Sequence, residues 1–277
     1  MSQPIVGSQF AADVARILDS ERVPNLLFGW LAFALVGEDM GFRLIDFVVN
    51  KNQLAATREV LERRIGIRPC DDPGCEELSV NRRQDILRNI RSMTFDKNVQ
   101  EAWLDKTRVR PIAEFHYHIG MQDQDYDILS FHSRDHLLWS LDDIKLEAPA
   151  ENDRNITLTT DHQLPRAHGC SGPWTQLNPI KILTQLAFTE AVMMLQARDR
   201  WQPDGLHVSW GYMLAHLYPQ DTEIKNRICS TLRESWDHHC GRIPPGSSIA
   251  QATQRLHARL LAANNLPGYY QRTEGSF

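Results

Sequence analysis

The 277-residue chain is 42% hydrophobic and carries only 14 prolines, which excludes a disordered polypeptide and leaves room for one large domain or two small ones. Its 30 Lys and Arg stand against 35 Asp and Glu, a net charge of −5 that supplies no global attraction for phosphate backbones, so DNA is not an expected partner. No apolar run approaches the ~20 residues of a membrane-spanning helix. The N-terminal MSQPIVGSQF has neither a basic start followed by an apolar stretch nor an Arg-rich amphipathic pattern. A cytoplasmic protein with no membrane partner is expected.

Phe10, Val14, Ile17 and Leu18 recur at helical spacing and predict a helix over 8–21, ended by Val23-Pro24-Asn25. Leu26 to Phe28, Gly29, then Leu31, Ala32, Leu35 and Val36 predict a short strand, a tight turn and a short helix. Arg43 to Val49 is β-branched and apolar and predicts a buried strand. Leu54, Val60 and Leu61 predict a helix over 51–64. Residues 67–78 read as loop and 80–105 as a charged helical stretch. The alternation over 112–119 and the apolar run over 128–132 predict two strands joined across the Asp-rich turn 122–127. A short helix over 134–141, a strand over 155–160, a loop over 162–179 and a strand over 180–183 follow. Helical patterns then cover 185–198, 207–218, 222–238 and 247–263. The chain therefore reads as an α/β (α+β) core over 1–184, followed by an all-helical C-terminal region over 185–277 packed on that core.

Five cysteines suit free thiols better than a disulfide framework. Cys70 and Cys75 form the only close pair, a spacing that can serve as a zinc half-site. The matching half would have to be His238-His239-Cys240, far along the chain, so a turn-rich loop with two free thiols is expected and no metal ligand is assigned.

Nucleotidyltransferases place two carboxylates two residues apart on one strand face, after a Gly-Ser turn that cradles phosphates, because two Mg²⁺ ions must bridge the nucleotide and the attacking hydroxyl. Here Leu27-Phe-Gly29-Trp30 precedes Leu44-Ile-Asp46-Phe-Val-Val49; Trp30 stands at the Ser position and Leu44 at the first carboxylate. With Glu114-Phe-His-Tyr-His118, Leu137-Leu-Trp139 and Ala197-Arg-Asp199, these segments resemble a group of fungal proteins of unassigned activity related to the nucleotidyltransferase superfamily. The resemblance implies a nucleotidyltransferase-like mixed sheet with helices. It also implies a third carboxylate from a neighbouring strand, for which Glu114 is the candidate. Asp46 and Glu114 alone would leave two cations short of negative ligands, so conventional nucleotidyl transfer is disfavoured. No cofactor is required, and Mg²⁺ is the ion such a cleft could take.

On an extended strand Glu114, His116 and His118 point to one side. Asp46, Glu114 and His116 are therefore the catalytic candidates, as acid, base or ligands of a single metal. Gly29, Trp30 and His118 are candidates for contacting substrate. The loop from Asp161 to Trp174 is a second candidate region: Asp161, His168 and Cys170 could bind substrate, and Cys170 or Ser171 could act as nucleophile with His168 or His162 as base. Lys181 could reach a phosphate or carboxylate, or simply blunt an edge strand. Trp201, Trp210, Tyr212, Tyr218 and Trp236 read as core, and Arg198 and Arg200 as residues that complement a helix dipole.

The function expected is a transferase using a degenerate cleft on a nucleotide-bearing or RNA-linked substrate. Aminoacyl-tRNA in specialised metabolism, as in cyclodipeptide synthesis, is one such case. The alternative is a non-catalytic pseudo-nucleotidyltransferase that binds a ligand or protein partner. A hydrolase built on Cys170 or Ser171 is a third class.

Overall fold

The computed structural model describes residues 7–38, 44–75, 77, 111–119, 128–164, 174–201, 206–217, 222–242 and 244–267. The helix predicted over 80–105 and the His168 and Cys170 positions lie outside the described residues. The chain divides into two compact units: Met1–Asp71 with Ala113–Ala191, and Asp72–Ile112 with Val192–Phe277.

The first unit is built on a six-stranded mixed sheet. Helix α1 (Gly7–Ser20) buries Ala11, Val14, Ala15 and Leu18, and strand β1 (Asn25–Phe28) is buried along its whole length. Gly29, at φ +68°, turns the chain directly into α2 (Gly29–Val36), all eight of whose residues are buried. Strand β2 (Ile45–Val49) is likewise buried on both faces, as its unbroken apolar run requires, with Asp46 as the one polar residue in it. After a 3₁₀ turn, α3 (Leu54–Ile65) buries only Thr57, Val60 and Leu61 and ends at Gly66 in the left-handed region, the usual glycine stop. Strands β3 (Phe115–His118) and β4 (Ile128–Ser133) form an antiparallel pair, and the short helix α4 (Arg134–Leu137) follows. Strands β5 (Ile156–Leu158) and β6 (Lys181–Leu183) complete the sheet in the order β3-β4-β2-β1-β6-β5.

β1 is antiparallel to β2, β2 is parallel to β4, and β6 is parallel to β1. One face is aromatic: Phe47, Phe131 and Phe115 lie in register across β2, β4 and β3, with ring centroids 5.7 and 5.1 Å apart, and Tyr117 packs edge-on to Phe131. Alternation therefore sends Asp46, Ser130 and His116 to the opposite face. Lys181, considered as an edge residue, sits on an interior strand between β1 and β5 and is 7% exposed.

Helix α5 (Gln185–Asp199) begins in the first unit and continues into the second. The second unit then contains α6 (Leu206–His216), α7 (Thr222–Arg227), α8 (Ser230–His239) and α9 (Ile249–Ala262). The single helix predicted over 222–238 is two, because Cys229 takes an extended conformation (ψ 135°) within the weak helix formers Ile228, Cys229, Ser230 and Thr231. Glu234 on α8 accepts from Arg255 and Arg259 on α9 at 2.6 and 3.0 Å. Trp210 and Trp236 are buried as predicted, whereas Trp201 is 60% exposed with the Arg200 guanidinium over its ring. Among the described residues, no helix is long and apolar enough to cross a membrane.

His239 gives this unit a pH dependence. Burial, with a smaller contribution from His238, pulls its pKa from 6.5 down to about 4, and its Nε2 lies 3.0 Å from Gln196 Oε1. The unfolded chain therefore binds the extra proton between pH 6.5 and 4, so the stabilisation is complete above the upper value and lost as pH falls toward the lower. The loss should reach about 3 kcal/mol. Urea unfolding at pH 7 and pH 4.5 should show a shallower pH slope for His239→Gln than for the wild type; equal slopes would remove His239 as the cause.

Candidate functional site

The polar face of the sheet centres on Asp46. The register places Phe28, Asp46, Ser130 and His116 in one row across β1, β2, β4 and β3. Asp46 is 4% exposed, and its Oδ1 lies 3.3 Å from Nε2 of His132, itself 2% exposed. Its other oxygen, Oδ2, is packed under the Gly29 turn: a Cβ built on Gly29 would meet it at 2.5 Å. Gly29 is therefore required twice over, by its φ and by this close approach. Ser130, between Asp46 and His116, has a buried hydroxyl with no hydrogen-bond partner among the described residues.

This geometry redistributes the predicted roles. The strand beside β2 is β4, not the Glu114 strand, so the groups flanking Asp46 are Ser130 and His132 rather than a second carboxylate. His116 lies two strand spacings from Asp46, about 10 Å between backbones, and its ring groups with Cys70, Cys75 and His118 rather than with Asp46. Glu114 precedes β3; its amide donates to Phe131 O at 2.9 Å, and its carboxylate pairs with Nδ1 of His136 on α4 at 2.5 Å. Trp30 is 6% exposed and packs edge-on against Phe33, and Leu44 is 5% exposed, so both act as core. Asp161 is used locally, accepting from the Thr157 hydroxyl at 2.7 Å and the Gln163 amide at 2.8 Å. Lys181 donates its ammonium to Leu146 O at 2.9 Å and lines a cavity of about 490 Å³ together with Asp142, Glu147, Asp153 and Asn155. That volume lies in the range of small-molecule sites.

The cysteine pair also has a different partner from the one considered in the sequence. Cys70, Cys75, His116 and His118 each offer a donor atom, and these atoms all lie within 4.8 Å of one another. His238 is engaged elsewhere: Nδ1 donates to Glu234 O at 2.8 Å, which leaves Nε2 to accept from the Ser247 hydroxyl at 2.8 Å. Burial pushes the Cys240 thiol up, against the thiolate that a metal needs. The signal for this grouping was present as His-x-His on a strand, whose alternation turns both rings to one side.

No protein-family model, no curated protein and no solved structure matches the chain.

Proposed function

We propose that the first unit is a nucleotidyltransferase-like binding module that has given up metal-dependent nucleotidyl transfer. The observation that carries this reading is the enclosure of Asp46. A carboxylate that must hold catalytic Mg²⁺ needs an open, oxygen-rich position with waters on the ion. Asp46 instead has one oxygen beside the His132 imidazole and the other under Gly29, with Leu44 supplying apolar bulk where the resemblance calls for a carboxylate. The start of α2, where a phosphate would be received, is already occupied by the Asp46 carboxyl group. The cavity beside Lys181 offers a ligand space that does not depend on a metal.

A second reading, a transferase acting on a nucleotide-bearing or RNA-linked substrate such as aminoacyl-tRNA, draws on the two carboxylate–imidazole pairs, Asp46 with His132 and Glu114 with His136. The Glu114–His136 pair is partly open to solvent and could move a proton at the surface. One experiment separates the two. Thermal unfolding is followed with nucleoside triphosphates, with and without Mg²⁺, for the wild type and Asp46→Asn. The binding module gives the same ligand shift with or without Mg²⁺, about 2.7 kcal/mol of stabilisation at a hundredfold excess over Kd. A shift that needs Mg²⁺ and disappears in Asp46→Asn would overturn it in favour of the transferase.

A further inference from the structure

We propose that Cys70, Cys75, His116 and His118 form a structural Zn²⁺ site, with the cysteines as thiolates and the histidines as neutral imidazoles. The loop that follows Gly66 brings both cysteines to the sheet edge. Cys70 donates its backbone N–H to His116 O at 2.8 Å, which lays this segment along the outer edge of β3. The chain then reverses at Asp72-Pro73-Gly74. The Asp72 carboxylate accepts from Gly74 N at 2.8 Å, and the Cys75 amide donates to Asp72 O at 3.1 Å, a tight turn for which Pro and Gly are suited. The turn returns Cys75 toward Cys70, and the two thiols are not joined in a disulfide. On β3, His116 and His118 project to the same side with ring centroids 5.1 Å apart and planes at 77°, so the two rings converge on a point without stacking.

The donor set selects the ion. Two thiolates and two imidazoles in a closed group of four suit tetrahedral Zn²⁺, whereas Mg²⁺ and Ca²⁺ need oxygen donors and iron–sulfur clusters are held chiefly by thiolates. A zinc tetrahedron with ordinary bond lengths has donor–donor edges of about 3.3–3.8 Å, so donors already within 4.8 Å need only close by about 1 Å. His116 and Cys75 are 1% and 9% exposed, unlike the solvated acidic groups that cluster on surfaces without an ion. Four protein ligands leave no position for water or substrate, so the site is structural and not catalytic. It ties the loop after α3 to an edge strand about forty residues later, and the metal's binding free energy thereby becomes folding free energy. The proposal does not depend on any reading of Asp46.

The test is metal content and its dependence on the four residues. Protein expressed in zinc-supplemented medium and desalted without chelator is expected to hold one zinc per chain by inductively coupled plasma mass spectrometry. Replacement by Co²⁺ should give thiolate charge-transfer bands and the intense visible bands of a tetrahedral centre. His118→Ala, at an exposed edge position, should keep the far-UV circular dichroism and weaken zinc binding at least tenfold in competition with a chromophoric chelator. Cys70→Ser with Cys75→Ser should abolish stoichiometric zinc, while Cys229→Ser should leave it unchanged. Absence of zinc from the wild type, full zinc in the double cysteine variant, or a Cys70–Cys75 disulfide in the freshly purified protein would each overturn the assignment.

Discussion

Asp199→Ala should destabilise the protein by about 3–5 kcal/mol, measured by urea unfolding at neutral pH. Asp199 is fully buried at the end of α5 and accepts from Arg198 Nε at 2.5 Å, from Arg198 Nη2 at 3.0 Å and from Trp210 Nε1 at 2.8 Å. Removing the carboxylate takes a bidentate counter-charge from the 6%-exposed guanidinium and an acceptor from the indole N–H. Asp199→Asn should fall between, since the amide oxygen still accepts one bond while the charge is gone. The magnitude decides between two explanations for the same residues. A helix-dipole role for Arg198 at the surface would be worth only about 0.3–1 kcal/mol, and losing Asp199 would then cost little. A measured cost under about 1 kcal/mol would return Arg198 to that surface role.

That contrast shows what the sequence could and could not say. Periodicity reports which side of an element is apolar, so the opening helix, the β1–Gly29–α2 turn, the β2 run and the later helices were legible from Leu26 to Val36, Ile45 to Val49 and the spacing of Trp210 and Trp236. It does not report which strand neighbours which. Glu114 looked like a partner for Asp46 because both lie on sheet strands or at their ends, but β4 intervenes and puts His132 there instead. An Arg-Asp pair at a helix end has the same letters whether solvated or buried; only the packing of Trp210 against it distinguishes the two. The Cys70–Cys75 spacing was visible, and so was the His116-x-His118 alternation. Their convergence was not, because it depends on the 2.8 Å bond between Cys70 N and His116 O that sets the loop against the edge of β3.

Gly29→Ala should cost about 2–5 kcal/mol, and its dependence on Asp46 makes the number interpretable. Two terms contribute. At φ +68° an L-residue loses about 1–2 kcal/mol relative to glycine. The added methyl also meets Asp46 Oδ2 at 2.5 Å, closer than real Cβ contacts allow, and β2 has no slack to yield because it is hydrogen-bonded to β1 on one side and β4 on the other. Overpacking of that kind costs a further 1–3 kcal/mol or so. In an Asp46→Ala background Oδ2 and Cγ are gone and the Cβ of residue 46 remains 3.2 Å away, so Gly29→Ala should then cost the backbone term of about 1–2 kcal/mol plus a smaller steric remainder. The difference between the two backgrounds, read from a double-mutant cycle, measures how tightly the carboxylate fills the space under the turn. A coupling near zero would mean that the carboxylate can swing away from Gly29. Asp46 would then be free to receive an ion, and the enclosed cleft on which the binding-module reading rests would be lost.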